Sequence, residues 1–210
     1  MANKACDLLL RLTGRLNSSK RKEMISMWQK DYPIKLELGS GRNPQPGFVH
    51  LDIDAGAPHV EIVHDIGEPL PFPDCTVEEI LANHCIEHIS WRKIRQLVQE
   101  CYRVLIPGGK IFIRTPDLEF IAKTYLANLK TPEYPPDEQF IREQFGEVTP
   151  SWWAILKLFS GQDYLGNFHY ACYDFKTLRE VFLQNGFVRV ERVYVQPVFS
   201  PGEIQLVAFK

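Results

Sequence analysis

The sequence lacks the features of a membrane-spanning, disulfide-stabilised or nucleic-acid-binding protein. No apolar segment approaches the length of a membrane span, and the leucine run at residues 8–10 stops at Arg11, too early for a signal peptide. The five cysteines are odd in number and form no Cys-x-x-Cys pair, as is typical of reduced core cysteines in the cytosol. The formal net charge of -2 argues against binding nucleic acid by bulk electrostatics. We therefore expect a cytoplasmic protein with no nucleic-acid partner.

The composition is that of one well-buried domain. Of the 210 residues, 45% are apolar and 12% are aromatic, which is enough for one hydrophobic core and hardly for two. The chain has no internal repeat and no low-complexity tract. We expect residues 31–210 to form the domain and residues 1–30 to form a helical segment before it.

That N-terminal segment has leucines at helical spacing and an excess of basic side chains. The apolar face carries Leu8, Leu9, Leu12 and Leu16. This pattern predicts a helix that packs on the domain, either beside a substrate opening or on the sheet. Peripheral contact with an anionic membrane surface is the alternative.

A glycine-rich turn lies between two short apolar runs in residues 35–54, KLELGSGRNPQPGFVHLDID. The runs around Leu36 and Leu51 have the composition of strands. Gly39 and Gly41 mark a bend that a ligand could approach closely, although glycine turns also follow many strands for conformational reasons alone.

Two carboxylates flank this turn. Glu37 precedes Gly39 by two residues, and Asp52 ends the second run eleven residues after Gly41. A carboxylate at the end of the second strand is where open α/β sheets hold ribose hydroxyls. The dinucleotide fingerprint would need a third glycine where Pro44 stands, and an acidic residue about 20 residues further on. Phosphate binding by this turn is therefore a poor fit.

Three further motifs follow in order: HDIGEPLPFPD from His64, ANHCIEHI from Ala82 and VLIPGGKIFIRTPD from Val104. Together with ELGSG and LDID, this series resembles the class I S-adenosylmethionine-dependent methyltransferase family, in its type 11-like form. The resemblance runs over about residues 35–117 and continues more weakly to the C-terminus. It implies a three-layer α/β sandwich whose seven-stranded sheet is mostly parallel with an antiparallel last strand. It also implies S-adenosylmethionine as cofactor and methyl transfer as activity.

The resemblance implies a cofactor-binding set at the carboxyl ends of the first four strands. The matching residues are Glu37, Gly39, Gly41, Asp52, Asp65, Ile66 and Asn83. The glycines would admit the cofactor, Asp52 would hold its ribose, and Glu37 would orient the loop, or the cofactor's amino group through water. Asp65 and the backbone N–H of Ile66 would meet the adenine. The alternative for Asp65 is a turn-starting side chain that caps its own loop.

The connection between the first two strands is unusually short. Parallel neighbours normally need a crossover of about a dozen residues or more, whereas residues 39–47 are nine and include Pro44 and Pro46. The first crossover helix must therefore be missing or reduced to one turn, which departs from the family pattern. Arg42 or Asn43 could replace its contribution to binding the cofactor's carboxylate, or both could be solvated loop residues.

Histidines supply the candidate catalytic groups. His84 follows the fourth strand, where the transferable methyl should lie, and could act as a general base; His169 is the second candidate. His84, Glu87 and His88 form an incomplete ligand set, so we predict no metal site.

Residues 118–173 are predicted to form a helical insertion that covers the active site and selects the substrate. Its polar and aromatic cluster could bind a sugar or another hydroxylated acceptor, or could be a packed lid. The cluster consists of Tyr164, Asn167, His169, Tyr170 and Tyr173. We expect methyl transfer to an oxygen or nitrogen of a small molecule or saccharide. The alternative is a noncatalytic, methyltransferase-like binding protein.

Cap residues predict two later helices. Ser90 is predicted to cap a helix that ends near Leu105, before the Pro-Gly-Gly of residues 107–109 and a fifth strand at residues 111–114. Asp174 is predicted to cap a helix that ends at Gly186, ahead of a closing pair of strands.

Overall fold

The computed structural model describes residues 33–127, 142–143, 146, 149–160, 162, 166–194 and 202–210. The predicted N-terminal helical segment at residues 1–30 with its alternative membrane contact, residues 128–141 of the predicted insertion, and Tyr164 lie outside these ranges. No helix within these ranges is long and apolar enough to cross a membrane.

Seven strands form one sheet in the order β3-β2-β1-β4-β5-β7-β6. The strands are β1 Ile34–Leu38, β2 Val49–Asp52, β3 Ile62–Val63, β4 Val77–Asn83, β5 Leu105–Pro116, β6 Arg189–Arg192 and β7 Glu203–Phe209. The first five pair in parallel, while β7 pairs antiparallel with both β5 and β6. The predicted fold class, an α/β fold with a mostly parallel sheet and an antiparallel last strand, is confirmed.

Four α-helices and one short 3₁₀-helix connect the strands in the described ranges. They are a 3₁₀-helix at Ile86–His88, α1 Ile94–Val104, α2 Leu118–Leu126, α3 Pro150–Phe159 and α4 Phe175–Gln184. Helix α1 packs against β5, and α4 packs against α1, β6 and β7. Helices α2 and α3 pack on each other around a second apolar cluster that includes Trp153.

The main core lies between α1, α4 and one face of the sheet. Alternate residues of the central strands, such as Leu36 and Leu38 of β1, are fully buried on that face. Helix α1 buries Ile94, Leu97, Val98 and Cys101, which share one face because they are three or four residues apart. Each fully buried leucine or isoleucine stabilises the fold by about 1.5–3 kcal/mol relative to an exposed one.

The prediction that the first crossover helix is missing or reduced to one turn is confirmed. Residues 39–48 form turns only, yet β1 and β2 pair in parallel. Side-chain and main-chain contacts take the place of the helix: Glu37 Oε2 accepts from Gln45 N at 2.8 Å, and Gly39 N donates to Leu51 O at 2.8 Å. The buried Glu37 thus satisfies a backbone donor of this turn, which has no helix to pair it.

Two predicted boundaries are wrong. Helix α1 begins at Ile94 and not directly after Ser90 as predicted, because residues 91–93 form a turn in which Lys93 N donates to Ser90 O at 2.8 Å. Strand β5 begins at Leu105 and includes the Pro-Gly-Gly that was predicted to separate helix from strand. The β4–β5 register shifts between Val77 and Glu79, so a bulge absorbs the extra residues, and Gly108 adopts a φ of 80° within it.

Candidate functional site

A cavity of about 490 Å³ opens where the sheet order reverses, at the carboxyl ends of β1, β2 and β4. This is the place where open α/β sheets bind ligands, and the volume is within the usual range for small-molecule sites. Five members of the predicted cofactor set line it: Gly39, Gly41, Asp52, Asp65 and Ile66.

The two glycines serve the cavity differently. Both have left-handed backbone conformations, with φ of 64° at Gly39 and 57° at Gly41. A Cβ on Gly39 would lie 2.4 Å from Cys85 Cβ, whereas a Cβ on Gly41 would meet nothing within 4 Å. Gly39 therefore lets the turn approach the end of β4, and Gly41 leaves its side of the turn open.

Asp52 both orders the glycine turn and faces the cavity. Its Oδ2 accepts from Gly41 N and its Oδ1 accepts from Asp54 N, each at 2.8 Å. Because each oxygen of an ionised carboxylate can accept about two hydrogen bonds, one position on each remains for a hydroxyl pair.

Glu37 and Asn83 do not line this cavity. Glu37 is 3% exposed and accepts from Gln45 N and from His50 Nδ1, the latter at 2.9 Å. Its position therefore suits the role of orienting the loop better than that of orienting the cofactor's amino group. Asn83 ends β4, and its Oδ1 is buried without a hydrogen-bond partner among the described residues.

Asp65 caps its own turn, which was the alternative considered for it. Its Oδ1 accepts from Gly67 N at 2.7 Å. Its Oδ2 has no partner in the part of the chain that the structure describes, and both Asp65 and Ile66 line the cavity. The capping bond thus leaves one carboxylate oxygen available to a ligand.

Sequence reasoning missed Ile53 as a lining residue. Ile53 directly follows Asp52, is 65% exposed and lies on the cavity. An isoleucine placed directly after a strand-ending aspartate, at the ligand-binding edge of the sheet, is the signal that could have identified it.

His84 is held between two carboxylates. Its Nδ1 lies 3.1 Å from Glu87 Oε1, and its Nε2 lies 3.1 Å from Glu203 Oε1. Burial opposes the charged form, but the hydrogen bonds to Glu203 and Glu87 outweigh it and raise the pKa of His84 to about 9. Because ionised carboxylates only accept, both ring nitrogens donate, and neither has a lone pair to take a proton.

Glu87 is fully buried at the centre of this network. Its Oε2 accepts from Thr115 Oγ1 at 3.0 Å, while its Oε1 faces His84. Burial disfavours its charge, but the hydrogen bond and charge of His84 outweigh burial and lower the pKa of Glu87 below its usual value. On the other side of His84, Arg114 pairs with Glu203.

His88 and His169 have the opposite character to His84. His88 Nδ1 lies 3.0 Å from Phe168 O, and His169 Nδ1 lies 3.0 Å from Lys157 O. Carbonyls only accept, so Nδ1 donates in both rings, and a ring in its neutral form then has its lone pair on Nε2. Burial lowers the pKa of His169, which favours this neutral form. The two ring centroids are 4.8 Å apart.

The segment at residues 166–173 brings His169 to this position. Tyr170 N and Ala171 N both donate to Glu87 O, at 2.8 and 3.2 Å. Gly166 and His88 line the cavity, whereas His169 does not line it and lies beside His88. Of the predicted polar and aromatic cluster, Tyr170 is exposed and Tyr173 is buried.

The sequence model of a family described as a methyltransferase domain matches residues 38–113. A protein of Mycolicibacterium smegmatis, named as a probable S-adenosylmethionine-dependent methyltransferase, is 40% identical over 65 residues, which are 31% of this chain and 24% of that protein. Residues 38–113, a little over a third of the 210 residues, are thus similar to the methyltransferase-domain family. The match spans only about a quarter of the length of this curated relative.

Solved structures agree with the fold of a class I methyltransferase. A SAM-dependent methyltransferase from Archaeoglobus fulgidus superposes with a TM-score of 0.53 at 15% identity, over 95% of this chain and 96% of that one. A protein from Pyrococcus horikoshii superposes with a TM-score of 0.51 at 17% identity, over 91% and 88% of the two chains.

The residues around the cavity fit the cofactor of this methyltransferase family, S-adenosylmethionine. Asp52 offers acceptors for two ribose hydroxyls, and Asp65 offers one for an adenine amino group beside the backbone N–H of Ile66. Ile53 adds exposed apolar surface for a flat ring. Of the two loop residues considered for the cofactor's carboxylate, Arg42 lines the cavity and Asn43 does not.

Proposed function

We propose that this methyltransferase transfers a methyl group from S-adenosylmethionine to an oxygen or nitrogen of a small molecule or saccharide. The observation that carries the proposal is the convergence of the glycine turn, Asp52 and the turn at Asp65 on one cavity beside His88.

The residues of the cavity would act by positioning. Asp52 would hold the ribose, Asp65 and Ile66 the adenine, and Arg42 the amino-acid carboxylate. When bound, the cofactor supplies a methyl group already activated on a sulfonium. Direct displacement of that group depends on alignment more than on covalent help, so rigid holding groups are the main requirement.

Proton removal from the acceptor falls to His169 and not to His84. In the arrangement described, both nitrogens of His84 donate to carboxylates. His169 has a free lone pair on Nε2 and a protonated Nδ1 fixed by Lys157 O. His169 is therefore our candidate for the general base, on the side of the cavity where His88 lies.

The test is isothermal titration of the full chain with S-adenosylhomocysteine. We expect saturable binding that Asp52→Ala and Asp52→Asn weaken by about 1.5–3 kcal/mol, or roughly ten- to hundredfold, because a charge-assisted hydrogen bond is lost. Asp74→Ala is the matched control, since this exposed carboxylate lies before β4 at the opposite edge of the sheet. No binding to the wild type would refute the proposal.

Acceptor turnover separates the enzyme from the noncatalytic alternative. A screen of hydroxylated small molecules and saccharides with labelled S-adenosylmethionine should show transfer that His169→Ala reduces. Cofactor binding with no transfer to any acceptor would instead support a binding protein of methyltransferase fold.

A further inference from the structure

Glu87, His88 and His169 bring one carboxylate and two imidazoles together on the acceptor side of the cavity. One ligand atom from each residue lies within 4.8 Å of those from the other two. Glu87 is buried, and the two histidines are half-buried. The set exists only in the folded chain, because the segment at residues 166–173 must pack on the 3₁₀-helix to complete it.

Both imidazoles are oriented as metal ligands are. A ligating histidine usually donates its second ring N–H to a carbonyl or carboxylate, which fixes the tautomer and turns the other nitrogen to the ion. His88 donates from Nδ1 to Phe168 O and His169 donates from Nδ1 to Lys157 O, each at 3.0 Å. The two Nε2 atoms are therefore the available ligands.

Glu87 is supported in the same way. Ligating carboxylates are themselves hydrogen-bonded, and Glu87 accepts from Thr115 Oγ1 at 3.0 Å and faces His84 Nδ1 at 3.1 Å. These contacts and the hydrogen bond from its own backbone N–H leave one acceptor position on the carboxylate for an ion.

We propose that Glu87, His88 and His169 bind one divalent transition-metal ion, with zinc as the favoured ion. Two histidines and one carboxylate are a ligand set of catalytic zinc sites, which keep the fourth position open. Tetrahedral bonds of about 2.1 Å place ligand atoms roughly 3.4 Å apart, so the ligand atoms, which lie within 4.8 Å of one another, would move closer together on binding an ion. The sequence predicted no metal because it grouped His84 with Glu87 and His88, whereas His169 is the third ligand.

The proposed ion would also take part in the proposed methyl transfer, and this part of the inference rests on that proposed function. Since His88 lines the cavity, the open position faces the space proposed for the acceptor. A bound ion makes a coordinated hydroxyl more acidic. The acceptor class is then a hydroxylated compound that coordinates through oxygen. His169 would serve as a ligand instead of the base, and the proton of the coordinated hydroxyl would pass to solvent water.

The test is calorimetric titration of the full chain with zinc sulfate after chelator treatment and desalting. We expect one equivalent to bind, with affinity reduced about 100-fold or more by His88→Ala and by His169→Ala, since loss of a second-layer contact alone costs about 10- to 100-fold. His59→Asn is the control: this exposed histidine lies outside the cavity, and asparagine tolerates its φ of 61°.

Circular dichroism of each variant establishes that it is folded before titration. Absence of saturable zinc binding, or unchanged affinity in both folded alanine variants, would overturn the site. Titration of the metal-free protein with S-adenosylhomocysteine separates the two proposals. If that ligand binds and zinc does not, only the metal site fails; if zinc binds and that ligand does not, the methyl-transfer proposal fails while the site remains.

Discussion

Gly39 and Gly41 show that two residues with the same backbone conformation can be needed for different reasons. Their φ values of 64° and 57° each penalise alanine by about 1–2 kcal/mol. Only at Gly39 would the added Cβ also collide, 2.4 Å from Cys85 Cβ. We expect Gly39→Ala to lower the free energy of unfolding by about 3 kcal/mol or more, and Gly41→Ala by about 1–2 kcal/mol. Urea titrations of both variants measure this; equal losses would show that Cys85 moves aside at little cost.

Glu203 makes the stability of the fold depend on pH in the acidic range. Burial opposes its charge, but hydrogen bonds from His84 and Arg114 outweigh burial and lower the pKa of Glu203 below its usual value of 4.5. Its charge therefore stabilises the fold fully above pH 4.5, and this stabilisation is lost as the pH falls through the lowered pKa. We expect Glu203→Gln to cost about 1.5–3 kcal/mol of unfolding free energy at neutral pH.

The difference in unfolding free energy between Glu203→Gln and the wild type should shrink as the pH falls below about 4.5. The reason is that the wild-type carboxylate then becomes neutral as well. Urea titrations at a series of pH values measure it. Glu191→Gln on the neighbouring strand is the control. Glu191 also pairs with an arginine, with its Oε1 3.7 Å from Arg189 Nε, but it is exposed. A difference that stays constant in acid would show that shape, and not charge, matters at position 203.

At the scale of elements, the two predicted helix caps make a direct comparison. Asp174 Oδ1 accepts from Thr177 N at 2.8 Å at the start of α4, whereas Ser90 lies before the turn that precedes α1. We expect Asp174→Ala to lower the free energy of unfolding by about 1 kcal/mol and Ser90→Ala to change it by less than about 0.5 kcal/mol. Denaturant titration measures both. Equal losses would mean that Ser90 stabilises the entry to α1 after all.

The elements also show what sequence can predict here. Strands β1 and β2, the missing crossover helix and α4 followed from local patterns and short-range chain geometry. The start of β5 did not, because its bulge depends on pairing with β4. The environment of His84 depends on Glu203, and that of His88 on Phe168, partners that are far apart in sequence and meet only through the β5–β7 pairing and the packed segment.

At the scale of the whole molecule, a ligand that binds the cavity should stabilise the entire fold. The end of β2 and the turns that follow β1 and β4 line the cavity, and all three strands contribute to the core. S-Adenosylhomocysteine at about 100 times its dissociation constant should add about 2.7 kcal/mol. For a domain of this size that raises the unfolding temperature by roughly 5–10 °C. Asp52→Asn should lose about half or more of this shift at the same concentration, and Asp74→Ala should keep it.

NAD is the negative test of the same prediction, because it should not bind the cavity. Pro44 stands where a dinucleotide fingerprint has its third glycine, and no helix follows the turn at residues 39–48 to hold a pyrophosphate. NAD at the same concentration should therefore leave the unfolding temperature unchanged. Protection by NAD with none from S-adenosylhomocysteine would mean that Asp52 serves a dinucleotide, and that the short crossover binds phosphate by contacts other than a helix N-terminus.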